Sequence, residues 1–182
     1  MPVRIYGNRE IKTLPGEATR PTASRVREAL FNIWQGRVSG CRWLDLCAGS
    51  GAMGAEALCR GAADVAGIEK SIAACRIVRQ NWQKVAKPEQ HFQIIQGDVV
   101  RQMQQLVKLN SLFDCVYLDP PYAGKLYEPV MAQLADCLSD RAEAAVEYSE
   151  AHWQPHSLPE TLEIAKVKRY GSTSLMFLRR VA

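Results

Sequence analysis

The chain has 182 residues, 47% of them hydrophobic, which is enough for one domain with a sizeable buried core. It contains no run of about 18 uninterrupted apolar residues, which argues against a membrane span, and Met1-Pro2-Val3-Arg4 lacks the apolar core of a secretion signal, so a cytoplasmic protein is expected. The net charge of +4 is unevenly spread: residues 1–42 carry eight Lys/Arg against three Asp/Glu, residues 43–160 ten against fifteen, and residues 161–182 five against one. Basic ends around an acidic middle suggest a polyanionic partner held by the termini.

Taken in order, Val3–Tyr6 and Glu10–Leu14 alternate apolar and polar residues around Gly7-Asn8, which predicts a small hairpin. Gly16–Arg20 is a predicted loop, Pro21 pushes Arg20 out of helical geometry, and Thr22 or Ser24 can cap a following helix whose apolar face is Val26, Ala29, Leu30, Ile33 and Trp34, with Arg25, Glu28 and Asn32 opposite. Residues 1–40 are thereby set apart as an N-terminal extension from a domain over 41–182. From Arg42 the period is regular. Strands at 42–46, 64–69, 91–96 and 113–118 alternate with helices at 52–60, 71–85, 98–109 and 126–138. A strand at 144–148, a proline-rich loop and two consecutive strands, 162–169 and 174–180, close the chain. Alternating units predict an α/β, doubly wound, mostly parallel seven-stranded sheet, and the last two strands predict its antiparallel edge.

The stretch R-W-L-D-L-C-A-G-S-G-A-M-G-A-E (42–56) reads as a buried strand, a tight turn of small residues and a helix start. Unpaired helix N–H groups facing a glycine turn make an anion or nucleotide cradle. Residues 49–54 fit G-x-G-x-x-G, and Glu69 follows about 20 residues later, as a ribose-binding acid would. That pattern describes a dinucleotide dehydrogenase as well as a methyltransferase. Asp45, just before the glycines, disfavours a pyrophosphate and suits a ligand carrying an ammonium or sulfonium group.

Ligands of such sheets gather beyond the carboxyl ends of the strands. Asp45, Glu69, Asp98 and Asp119 close four successive apolar runs there, an arrangement expected to line one pocket. Asp119-Pro120-Pro121-Tyr122 is the most specific motif: two prolines stiffen the segment and leave carbonyls free to accept. A carboxylate beside a fixed carbonyl is an acceptor pair for an exocyclic amine, and Tyr122 offers a face on which a base can stack. Six cysteines (41, 47, 59, 75, 115, 137) show no C-x-x-C pairing and are expected as buried free thiols, without metal. Lys12, Arg20, Arg25 and Arg27 are candidate phosphate contacts.

The glycine turn of 44–62 with D-P-P-Y at 119–122 resembles class I S-adenosylmethionine-dependent methyltransferases of amino groups. R-P-T-A-S-R-V-R-E-A-L-F-N-I-W (20–34), Glu69 and D-P-P-Y-A-G-K-L-Y-E-P-V (119–130) narrow the resemblance to the RsmD family, over nearly the whole chain. D-P-P-Y alone is shared with DNA adenine methyltransferases. Cys47 stands where that family usually has phenylalanine, and the hairpin carries fewer basic residues than its counterparts.

The resemblance implies methyl transfer from S-adenosylmethionine to the exocyclic N2 of a guanine in 16S ribosomal RNA, free or within a 30S assembly intermediate, by a monomer that needs no metal. It further implies that Asp45 and the Ala48, Gly49, Ser50, Gly51 turn hold the methionine moiety, Glu69 the ribose hydroxyls and Asp98 the adenine amine. Asp119 and the Pro120 carbonyl would grip the guanine amine, with Tyr122 stacked on the base. A target base must leave its stack, so the substrate is a flippable guanine in structured RNA. Three other readings stay open: a DNA adenine-N6 methyltransferase, an NAD-binding dehydrogenase, and a non-catalytic RNA-binding module.

Overall fold

The computed structural model describes residues 3–14, 21–121 and 125–181, with backbone only for 21–23. A short hairpin, β1 (Val3–Ile5) and β2 (Arg9–Ile11), forms its own two-stranded sheet, with a helical turn at Tyr6–Asn8 where Gly7 and Asn8 take left-handed backbone angles. Helix α1 (Pro21–Ile33) follows. The body then alternates β3 (Arg42–Leu46), α2 (Ala52–Cys59), β4 (Asp64–Glu69), α3 (Ile72–Val85), β5 (His91–Gln96), α4 (Val99–Lys108), β6 (Phe113–Leu118) and α5 (Tyr127–Leu134). It ends with β7 (Leu138–Tyr148), β8 (Leu162–Tyr170) and β9 (Thr173–Arg180).

The seven-stranded sheet has the order β5-β4-β3-β6-β7-β9-β8, parallel through β7, with β9 antiparallel to both β7 and β8. The expected doubly wound sheet with an antiparallel edge is what the chain forms. Two bounds differ. The sequence predicts β7 from Ala144, whereas it begins at Leu138, because a register shift against β6 lets Ser139–Ala142 bulge past Asp114 while the strand continues. The predicted helix to Leu138 stops at Leu134 and tightens into a 3-10 turn over Ala135–Cys137.

Helices cover both faces. α4 and α5 pack Met103, Leu106, Val130, Met131 and Leu134 on one side, with Leu44, Leu46, Val116 and Leu118 of the central strands. On the other side α1, α2 and α3 supply Leu30, Phe31, Trp34, Leu58, Val78 and Trp82, with Trp43, Cys115 and Phe177. Trp43 lies stacked on Phe31 at 5.2 Å between centroids and edge-on to Trp34 at 5.5 Å, which fixes α1 over the centre of the sheet. Burial of three large aromatic rings in one layer is worth several kcal/mol on the order-of-magnitude scale for apolar burial. No helix among the described residues is long and apolar enough to cross a membrane.

The hairpin is tied to the body by charge. Arg27 Nε meets Glu56 Oε2 at 2.8 Å, its Nη2 donates to the Arg4 carbonyl at 2.6 Å, and Arg60 Nη2 meets Glu56 Oε1 at 2.9 Å. Arg60 also lies over the Tyr6 ring.

Candidate active site at the carboxyl edge of the sheet

The strand order reverses between β3, whose chain continues outward to β4 and β5, and β6, whose chain continues to β7. Ligands of such sheets bind at the switch point, beyond the carboxyl ends of β3 and β6. The turn after β3 lies at that point. Cys47, Gly49 and Gly51 take left-handed φ values of 64°, 57° and 76°, so the chain doubles back twice before α2 begins. Cys47 holds a backbone conformation that costs an L residue about 1–2 kcal/mol. Ala48 N donates to the Ile68 carbonyl at 2.9 Å and Gly51 N to the Ala48 carbonyl at 2.7 Å, closing the turn against β4.

The acids sit around this turn as the sequence predicts. Burial first, then the charges of Asp45, Glu69, Asp119 and Asp98, push the Cys47 thiol up to about 12. Because β3, β4, β5 and β6 run parallel, the four acids, at or just after the ends of these strands, share the carboxyl edge of the sheet. Their individual settings differ. Asp45 is fully buried, and its Oδ2 accepts from Gly54 N at 3.3 Å, so it holds the first turn of α2 from beneath. Burial, opposed by that N–H and reinforced by the Glu69 charge, raises its carboxyl to about 7. Glu69 spans the turn and the next helix, accepting from Gly49 N at 2.9 Å and Ser71 N at 2.8 Å. Asp98 caps α4, accepting from Arg101 N at 3.1 Å. Each of these carboxylates keeps lone pairs for a ligand. Asp119 is exposed at the end of β6, and Pro120 beside it is buried.

Two side chains of α3 that the sequence reading did not single out hold the turn from behind. Trp82 Nε1 donates to the Gly51 carbonyl at 2.8 Å, and its ring fills a slot made by three glycines. A Cβ at Gly54 would lie 2.3 Å from the ring, at Gly67 2.6 Å and at Gly51 2.8 Å. The second and third glycines of the motif thus make room for tryptophan. Asn81, also buried, donates to the Ser50 carbonyl at 2.8 Å and to the Lys12 carbonyl at 2.9 Å, and accepts from Lys12 N at 2.9 Å. The available signal was an asparagine on the apolar stripe of Ala74, Val78, Trp82 and Val85. A further acid also went unmarked: Glu147 of β7 accepts from the Tyr117 hydroxyl beside the site, and burial raises its carboxyl above the ordinary range.

The candidate phosphate contacts divide. Arg25 is exposed on α1. Lys12 is exposed, with Nζ on Gln80 Oε1 at 2.9 Å. Arg27 is a correction: it is 8% exposed and committed to Glu56 and Arg4, so it is a structural cation and not a surface contact. Arg20 and Tyr122 lie outside the described residues. All six cysteines are free, four of them buried, and no cluster of three metal-ligating side chains occurs among the described residues.

A negative field around a glycine turn fits a cationic ligand such as a sulfonium and opposes a pyrophosphate. The chain matches the family model described as "Conserved hypothetical protein 95" over residues 3–179. It is 31% identical to "Putative rRNA methyltransferase YlbH" of Bacillus subtilis, covering 94% of each chain. It is 29% identical to "Ribosomal RNA small subunit methyltransferase D" of Haemophilus influenzae, covering 93% of this chain and 88% of that one. The solved structure "Putative methyltransferase yhhF from Escherichia coli" superposes with a TM-score of 0.85 at 26% identity, covering 99% of this chain and 98% of the other. The chain belongs to this family, the RsmD family of S-adenosylmethionine-dependent methyltransferases.

Proposed function

We propose that this protein methylates the exocyclic N2 of a guanine in small-subunit (16S) ribosomal RNA, using S-adenosylmethionine. The observation that carries this reading is the placement of four carboxylates at the carboxyl edge of four parallel strands beside the glycine turn, with Asp119 exposed and Pro120 next to it buried. The names of the relatives support an RNA substrate of this class.

The cofactor supplies an electrophilic methyl group on a cationic sulfur. Glu69 and Asp98 present acceptor oxygens suited to ribose hydroxyls and an adenine amine, while the Ala48–Gly51 turn receives the methionine end. Asp45 contributes its charge from below and keeps the first turn of α2 in place. A guanine amine is a weak nucleophile because its lone pair is delocalised into the ring. Asp119 and the Pro120 carbonyl accept its two hydrogens, which turns the lone pair out of conjugation and toward the donor. Such positioning is worth several kcal/mol of a barrier. The Asp119 carboxylate then stabilises the positive charge that develops on nitrogen. Tyr122 stacks on the extruded base. The protein works as a cytoplasmic monomer on free RNA or on a 30S assembly intermediate, with residues 1–40 contributing to RNA contact through Lys12, Arg20 and Arg25.

Asp119→Ala tests the assignment. Transfer to RNA falls by about a hundred- to a thousandfold, the scale of losing one preorganised electrostatic group, while S-adenosylmethionine binding, measured by calorimetry, stays within about twofold. Loss of cofactor affinity in that variant contradicts the role given to Asp119. Binding of NAD in place of S-adenosylmethionine contradicts the whole reading.

A further inference from the structure

The sheet ends on β8, whose residues 163–169 are all exposed. Its register sorts them by face. After a bulge between Ile164 and Lys166, Lys166 stands opposite Phe177, Lys168 opposite Leu175 and Tyr170 opposite Thr173. Phe177 and Leu175 belong to the core beneath α1, where Trp34 meets Phe177 edge-on at 5.9 Å, and Tyr170 packs against that same core. Lys166, Lys168 and Tyr170 therefore flank α1 on one face, while Ile164 and Val167 lie on the other.

Direction matters as much as face. β8 is antiparallel to β9, which is antiparallel to β7, so β8 runs the same way as the parallel strands. Its carboxyl end, at Lys168 and Tyr170, approaches the edge that carries Asp119. α1 runs the other way: Trp34, just past its end, donates at 2.7 Å to Glu143, which pairs with Cys115 early in β6, and Arg27 two turns earlier reaches Glu56 midway along α2. The start of α1 therefore lies toward the carboxyl edge of the sheet.

The remaining arginines of this hairpin are occupied. Arg169 pairs with Glu150, Arg179 with Glu143 and Arg180 with Asp140. Neither lysine ammonium makes an ion pair or hydrogen bond among the described residues. Two positions along a strand lie about 6.7 Å apart, which suits successive phosphates of an extended nucleotide strand, and the aromatic Tyr170 ends the row nearest the site.

We propose that Lys166, Lys168 and Tyr170 form a track that docks the RNA backbone and leads the target strand to Asp119. This rests on the RNA reading above and extends it to a surface at the opposite end of the chain from the N-terminal extension. Lysines on an edge strand also guard against strand-to-strand association, and salt dependence separates the two roles. A docked phosphate releases counterions, whereas a guard lysine touches none.

The test measures binding of full-length protein to 16S RNA by fluorescence anisotropy across a salt series, for wild type, Lys166→Ala/Lys168→Ala, Lys166→Arg/Lys168→Arg and Lys108→Ala. Each contact to a single strand contributes about 0.7 to the log–log slope. The double alanine variant is therefore expected to show a slope shallower by about 1.4, with the arginine pair and the Lys108 variant unchanged. Cofactor affinity stays at the wild-type value in all four, which reports intact folding. An unchanged slope in the double alanine variant, with wild type binding RNA normally, overturns the track and leaves the RNA reading standing. Absence of salt-dependent RNA binding by wild type overturns both.

Discussion

Asn81 ties Ser50 to the N-terminal extension: its amide nitrogen donates to the Ser50 carbonyl at 2.8 Å, while both backbone groups of Lys12 bond to the same side chain. A buried asparagine that satisfies three backbone groups on two distant segments is costly to replace. Asn81→Leu keeps the volume and orphans all three. Unsatisfied buried groups cost about 1–3 kcal/mol each, partly relieved where water enters, so denaturant unfolding should show a loss of about 2–3 kcal/mol. If the turn it fixes receives the cofactor as proposed, the KM for S-adenosylmethionine should rise about tenfold, equivalent to about 1.4 kcal/mol, with kcat changed less. An equal fall in kcat at unchanged KM would assign Asn81 to a different step.

Asp45 predicts a pH dependence of known sign. Burial raises its carboxyl from 3.8 to about 7, so the folded protein holds a proton that the unfolded chain has lost between those values. This contribution to stability is fully present below the unfolded value and disappears as the pH rises through about 7. Asp45→Asn, which keeps an acceptor for Gly54 N, should flatten the fall in stability between about pH 4 and 7. Cofactor affinity runs the opposite way, because a cationic ligand favours the ionised carboxylate, and should improve as pH rises through about 7. Calorimetric titrations across that range in wild type and Asp45→Asn read both effects.

Arg27 predicts a stability defect in place of a binding defect. Its guanidinium and the Glu56 carboxylate are 9% and 5% exposed, and removing it leaves Glu56 Oε2 and the Arg4 carbonyl without their donor while Arg60 still holds Glu56 Oε1. Unsatisfied buried acceptors cost about 1–3 kcal/mol each. Arg27→Ala should unfold at markedly lower denaturant, while its RNA salt slope, measured under folding conditions, matches wild type. A shallower slope at unchanged stability would return Arg27 to the RNA surface.

The contrast between Arg27 and Asp119 shows what kind of information a sequence exposes. The central strands β3, β4 and β6 were legible to the residue because each is a mostly apolar run between glycine, proline or acidic punctuation, as strands buried on both faces are, while β5, the half-exposed edge strand, stands out by Pro88 before it and Gly97 after it. The acids that follow them inherit that clarity, since position at a strand end already decides which edge they share. Arg27 was misread although the signal existed: it precedes Leu30, Phe31 and Trp34 by three, four and seven residues, which sets it on the buried stripe of its helix. Type outweighed spacing in that reading. Asn81 and Trp82 were hidden for a different reason. Their partners lie 31 residues away in the glycine turn, and only the packing of α3 against that turn brings them together. The early start of β7 was likewise invisible, because Ser139-Asp140-Arg141 is polar and enters the sheet by a bulge that no local propensity announces.

The most direct test of the central claim is the identity of the methylated nucleoside. The protein is incubated with radiolabelled S-adenosylmethionine and 16S RNA from a strain lacking the enzyme, as free RNA and as 30S particles, and the RNA is digested to nucleosides. The account predicts label in N2-methylguanosine, lost in Asp119→Ala, with the better substrate revealing the assembly stage. Label in another nucleoside, or none from a protein that binds the cofactor, would contradict it.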